Sequence, residues 1–395
     1  MLALCQLNSC QKAAYNPDHK LFIKTFKTDT ASSEYGEFIE ELSDGGFIMI
    51  SYRNFYPVII RMDKYGNIIS QRAVPNNSFN QDARGYLNFI ATTGDPWHFL
   101  DQYSSLLIKF DTSGKISSQT QMPAIGFNNP NRHTYYGAAA VNGNGFLAAY
   151  CDGADFFSPY NFIYSYDANL NLVKTDTISD FRLGGHTVGF GLCPGIQSEP
   201  YAIFGTKYPR TYWTSLDNSK IFAARVPAIG NTTQTMIDTG DLLTRDEVEW
   251  QTRSLDSDVV VLGDRGNILS QNLTYPIVIK FDKNLKVVWK QTYYKDNVSF
   301  YCFDIITCND GGFLITGAIG ISTNLDRKPY VLKIDANGNK QWEKTFTTKS
   351  GTGRIEYGIQ LADGGYALVG DTNQFGKGKN GIQLLFVRVD ANGNL

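Results

Sequence analysis

NDGGFLITGAIG (309–320) followed by PYVLKIDANGNKQWEKTF (329–346) is repeated almost at once as ADGGYALVGDTN (362–373) and QLLFVRVDANGNL (383–395). The same frame opens the chain as SDGGFIMISYRN (43–54) and PVIIRMDKYGNIIS (57–70). Looser copies follow as SLLIKFDTSGKISS (105–118), NFIYSYDANLNLVK (161–174) and PIVIKFDKNLKVVW (276–289). YAIFGTKY (201–208) with KIFAARVPAIGN (220–231) makes a degenerate seventh. The turn Asp recurs at Asp63, Asp111, Asp167, Asp282, Asp335 and Asp390, with Pro227 near the place of the missing one. The spacings run from 48 to about 60 residues, so one unit is written seven times.

Each unit reads as four strands. IEYGIQLA (355–362) runs into a DGG turn, where glycine supplies the positive φ of a tight hairpin. YALVG (366–370) is a short apolar run that suits a strand covered on both faces. YVLKID (330–335) alternates apolar and polar residues, and DANGN makes the next hairpin. KQWEKTF (340–346) mixes Trp, Thr and Phe with charges, as an outer strand with one wet face does. A four-stranded sheet cannot bury both faces alone, so the units are expected to stack radially as a seven-bladed all-β propeller. The last unit stops at DANGNL without a fourth strand. HKLFIKTF (19–26) matches NKQWEKTF (339–346), with Phe22 at the Trp342 position. The N-terminal strand is therefore expected to close the ring, giving a tether over 1–18 and one domain over 19–395.

Composition agrees with an all-β chain. Among 395 residues there are 37 Gly, 25 Phe and 23 Tyr but only 5 Met and 4 His. Strands take up aromatics and tight turns take up glycine. The net charge of −2 gives no electrostatic footprint for nucleic acid. No run nears the roughly 20 apolar residues of a spanning helix. No GxSxG elbow, HExxH pair, phosphate loop or dinucleotide fingerprint is present, and no cofactor is expected.

The pattern DGG-aromatic, LKIDANGN and W-x-K-T-F resembles the repeats of exported β-propeller proteins of Bacteroidetes-like bacteria, over residues 19–395. The resemblance implies an exported envelope protein. Leu7-Asn8-Ser9-Cys10 likewise resembles a lipoprotein box, which implies acylation at Cys10 and membrane attachment through lipid alone. Asp335, Gly338 and Trp342 are spaced as in the tryptophan docking motif of quinoprotein dehydrogenases, although only Trp289 and Trp342 hold that position here.

Candidate site residues come from aligning the first strands on their turns. One column then contains Glu37, Asn88, Tyr136, Gly191, Glu249, Phe303 and Glu356. Three carboxylates and an amide in one column are placed to ring a channel mouth, where facing carboxyls raise one another's pKa. His133 and His186 are read as lying just before first strands of adjacent units. FNNPNRHTYY (127–136), DGADFFSPYNFIY (152–164) and KYPRTYW (207–213) gather Tyr160, Tyr212 and Trp213 with Asn and Pro in long connections, which suits a glycan or a protein partner. A solvated rim and self-packed loops are the structural alternatives.

DANGN is read as a hairpin, since the twelfth position counted from Asp335 is Phe346 where a calcium loop needs Glu. Cys151, Cys193, Cys302 and Cys308 are read as buried apolar residues. The last two lie about 20 Å apart along one strand, too far for a disulfide. These readings give a monomeric binding module for an envelope protein or a glycan. The competing class is an enzyme at the channel mouth: a glycan lyase, a glycoside hydrolase or a quinoprotein-like dehydrogenase.

Overall fold

A computed structural model of the chain describes residues 21–26, 33–53, 56–74, 88–90, 97–101, 106–121, 135–142, 145–151, 161–167, 169–178, 186–193, 201–208, 220–226, 233–236, 244–267, 273–321, 327–346, 352–373 and 382–395. The described residues form strands and turns only, and the strands assort into four-stranded antiparallel sheets. In chain order the sheets lie within Glu34–Ala73, Asn88–Gln121, Tyr135–Ile178, His186–Met236, Thr244–Thr292 and Ser299–Thr345. The seventh joins Phe22–Phe26 to the three strands within Gly353–Val389. In this last sheet Phe22–Phe26 pairs with Gln383–Val389, and Phe22 stands opposite Arg388. Trp342 stands opposite Lys333 in the sixth sheet in the same way.

The first strand of each unit is the inner one. From the second sheet to the seventh, and from the seventh to the first, these strands touch their counterparts in the adjacent sheet. The first and second sheets share one apolar cluster, with Phe38, Ile48 and Ile59 packed with Ile108 and Phe110. Fourth strands lie outermost: Val287–Thr292 and Ile68–Ala73 are largely exposed. Second strands such as Tyr366–Thr372 are buried throughout, as their apolar runs require.

The turns account for the repeat. In DANGN the carboxylate of Asp335 accepts hydrogen bonds from the backbone N–H groups of Asn337 and Asn339, both at 2.8 Å, and from the Asn339 side chain. Asp63, Asp167 and Asp390 make the same set, so this Asp builds the hairpin and is committed to it. Gly338 and Gly393 adopt positive φ, and each also receives an indole, Trp289 against the first and Trp342 against the second. Phe22 occupies the equivalent place against Gly66. Each outer-strand aromatic thus docks on the hairpin of the next sheet. Two looser copies put Leu170 and Leu285 at the positive-φ position, and both leucines are buried.

Third strands depart from the alternating pattern. Tyr330–Ile334 and Gln383–Val389 are buried on both faces, including Lys333 and Arg388, each 2% exposed or less. The cation is answered by the Asp of the DGG turn: Lys333 meets Asp310 at 2.8 Å and Arg388 meets Asp363 at 2.7 Å. Lys280 with Asp256 and Arg61 with Asp44 repeat the pairing in the fifth and first sheets. A buried charge persists only when paired and hydrogen-bonded, which is what the DGG aspartate supplies. The polar position in that alternation is a buried ion pair.

Candidate functional site

The column of first-strand residues lies at a recurrent β-bulge. Pairing between first and second strands skips Glu37 in the first sheet, Glu249 in the fifth, Phe303 in the sixth and Glu356 in the seventh. In the fourth sheet the skipped residue is Phe190, so Gly191 is displaced from the column by one position. In the third the irregularity falls after Tyr136, which itself pairs with Tyr150. Asn88 pairs regularly with Leu100. A bulged residue is released from the ladder and its strand bends, which re-aims the side chain.

The bulge also explains a glycine. The first strand pushes a carbonyl against the second strand, and a Cβ at Gly317 or Gly370 would overlap the carbonyl oxygen of Tyr301 or Arg354. Ser51 holds the corresponding place in the first sheet, fully buried. Gly317→Ala is expected to cost about 2 kcal/mol of stability, measured by chemical denaturation, because backbone rather than a mobile side chain must give way. A variant as stable as the wild type would mean that the bulge is not needed there.

The structure brings Glu37 and Glu356 together, from the inner strands of the first and seventh sheets. Arg354 lies between carboxylates, with Nε 2.5 Å from Asp371 Oδ2 and 2.6 Å from Glu356 Oε1. Its guanidinium faces the Phe303 ring of the sixth sheet at 5.3 Å and the Tyr35 ring of the first at 5.9 Å. Arg327 stacks on Tyr301 at 3.6 Å and its charge reaches Glu356 and Asp371. Beside this group Glu34, 2% exposed, pairs with Arg53 at 3.0 Å.

Burial and the Glu356 charge push the Glu37 carboxyl well above the usual carboxylate range. Burial raises Glu356 to about 7; Arg354 opposes the shift and Asp371 adds to it. Burial also raises Asp371, against the pull of Arg354. Two carboxyls of raised proton affinity therefore lie about an arginine that also pairs with a third, Asp371. Such a group can donate and accept hydrogen bonds in the same small volume.

Glu249 belongs to a different neighbourhood. It lies with Asp264 near buried Cys302, whose thiol is pushed up by burial and then by these two carboxylates. Asp264 accepts a 3.4 Å hydrogen bond from the Cys302 backbone N–H. Cys302 and Cys308 are both free and buried, as expected. His186 opens a first strand, within it rather than before it. Asn88, Tyr136 and His186 lie in strands whose side chains are outside the described residues, as are Cys10, His133, Tyr160, Tyr212, Trp213 and most of the three aromatic connections. Among the described residues no group of His, Cys, Asp or Glu is arranged to hold a metal ion.

Arg354 and Asp371 were not legible as site residues. Each follows or precedes a residue of the expected column by register alone, and only strand pairing sets them opposite one another. A signal was present in the form of an Arg two residues before the column Glu and an Asp directly after the bulge-facing glycine.

No protein-family model and no curated protein sequence matches the chain. Among solved structures the chain is similar to a streptogramin B lyase, at 12% identity over 92% of this chain and 97% of that one, with a TM-score of 0.54. It is also similar to a protein of unknown function from Dyadobacter fermentans, at 11% identity over 93% and 98% of the two chains, with a TM-score of 0.50. These likenesses show a propeller-type fold.

Proposed function

We propose that the chain is a seven-bladed propeller whose ring is closed by Phe22–Phe26, and that its central channel carries a glycan-binding site around Glu37, Glu356, Arg354 and Asp371. The observation that carries the reading is the repeated bulge, which turns carboxyl side chains out of the inner strands and into one polar cluster. A polyhydroxylated ligand suits carboxyls that both donate and accept, flanked by the rings of Phe303 and Tyr35. An envelope protein as partner would instead engage the aromatic connections at 127–136, 152–164 and 207–213. A glycan array followed by calorimetry on the glycans that bind tests the assignment. The variant with Glu37→Gln and Glu356→Gln is expected to lose tenfold or more in affinity, about 1.4 kcal/mol. Unchanged affinity would remove the cluster from the ligand site.

A second reading, a glycan-active enzyme, is favoured by one observation. Glu356, raised to about 7, and Glu37, pushed up by burial and by the Glu356 charge, are two neighbouring carboxyls in unlike surroundings, the arrangement that divides acid and base roles. Release of shorter products from a bound glycan, abolished by Glu356→Gln, would select it over pure binding.

The address belongs to the same proposal: the chain is exported and held at the cell envelope by lipid on Cys10, with residues up to 18 as tether. Cys10→Ser is expected to move the protein from the membrane fraction to the soluble fraction of its native host. Wild-type and variant chains in the same fraction would exclude the anchor.

A further inference from the structure

Arg354 has two unlike edges. Its Nε edge is occupied by Asp371 and Glu356, whereas neither terminal nitrogen donates a hydrogen bond to any described residue. The terminal nitrogens are also absent from the buried polar atoms that lack a partner, and the side chain keeps 27% of its surface open. The guanidinium is therefore oriented by its inner edge and by two rings from neighbouring sheets, while its outer fork faces open space. Glu37 stands nearby, and its carboxyl takes part in no hydrogen bond with a described residue. In its protonated form it is a donor as well as an acceptor.

The local charges do not oppose an anion. Arg354 and Arg327 stand against Asp371 and Glu356, and Glu37 adds no charge while it holds its proton. A planar fork of two N–H groups, fixed in orientation and left open, matches a carboxylate in two parallel hydrogen bonds. A hydroxyl-only ligand would leave that match unused. We propose that the open fork of Arg354 binds the carboxylate of an acidic sugar, with Glu37 hydrogen-bonded to a neighbouring hydroxyl. This rests on the reading of the cluster as a glycan site.

The test is calorimetry on the full chain with oligogalacturonate and with its fully methylated ester, which differ at the carboxyl group of each residue, where the ester loses the charge and carries a methyl on one fork-matching oxygen. The acid is expected to bind at least tenfold more tightly than the ester. Arg354→Lys keeps a cation beside Asp371 but removes the fork, and is expected to reduce that preference at least tenfold; its circular dichroism is compared with the wild type first. The wild-type comparison stands without the variant should the variant not fold. Equal or tighter binding of the ester, or a folded Arg354→Lys protein that keeps the preference, overturns the proposal. Binding of neutral glycans without binding of the acid overturns it too, while leaving the glycan site standing. Failure of every glycan to bind overturns both.

Discussion

Removal of residues 1–28 is expected to lower the melting temperature sharply, while removal of residues 1–17 leaves it nearly unchanged. The difference between the two truncations is the strand Phe22–Phe26. Phe22 and Phe26 pack into the cluster shared by the seventh and first sheets, and Ile23 packs against the cluster between the sixth and seventh. Phe22 also meets Phe386 edge to face at 5.0 Å and covers Gly66 of the first sheet. Lys24 donates to the Tyr65 carbonyl at 2.5 Å and to Asn67 Oδ1 at 2.7 Å. The strand contributes three half-buried apolar side chains and the ladder to Gln383–Val389, and its loss uncovers the surfaces of the sixth, seventh and first sheets that pack against it. The shortened chain also exposes the fully buried strand Gln383–Val389 as an edge, so it is expected to aggregate sooner on heating. Equal melting of the two truncations would refute closure through the N-terminal strand.

Asp304→Asn is expected to stabilise the protein at alkaline pH and to leave it unchanged or slightly less stable in acid. Asp304 lies on the inner strand of the sixth sheet, 2% exposed, one residue beyond the bulge. Phe38, Trp250 and Tyr357 hold the corresponding place in the first, fifth and seventh sheets, so a carboxyl stands where the repeat puts an aromatic ring. Its Oδ2 accepts one long hydrogen bond, 3.4 Å, from the Gly358 N–H of the seventh sheet, and its Oδ1 has no partner. Burial pushes its pKa up to about 8, against the pull of the Gly358 and Ile305 N–H groups. In the unfolded chain the same group titrates at about 4.

Below about pH 4 both states hold the proton and the site costs nothing. Between about 4 and 8 the folded protein alone holds it, so stability falls as pH rises, and above about 8 the full penalty of a buried carboxylate is present. Four pH units correspond to at most about 5 kcal/mol, and relaxation around the site reduces this to about 3 kcal/mol. Asparagine keeps the shape and the acceptor for Gly358 but does not ionise. The melting difference between variant and wild type is therefore expected to widen from pH 5 to about pH 8 and then to level off. Parallel stability curves would show that Asp304 does not titrate in that interval.

The site was half legible. Aligning first strands on their turns found Glu37, Glu249 and Glu356, because one offset from the turn sets the same bulged place on the first strands of the first, fifth, sixth and seventh sheets. It did not distinguish Glu249, two sheets away beside Cys302, from the pair that meets. The error at Gly191 has a local cause: a bulge adds a residue to one strand only, and counting from the turn cannot see it. Lys333 gave YVLKID its apparent alternation, since a single charge within an apolar run marks a polar position without showing its partner. That partner was in view as the DGG aspartate, but a turn residue and a strand residue over twenty positions apart give no periodic signal.

Local chemistry explains how much of the fold the chain declares on its own. Asp-Asn-Gly turns, positive-φ glycines and apolar runs act over a few residues, so their repetition revealed the unit, its strands and the match of Phe22 to Trp342. Facing side chains are a different matter. Glu37 and Glu356 lie 319 positions apart in the sequence, and they share Arg354 only because inner strands from the two ends of the chain are packed side by side. Proton affinity at Glu356, the open fork of Arg354 and the buried acid at Asp304 all depend on which groups surround each side chain, and that is set by tertiary packing alone.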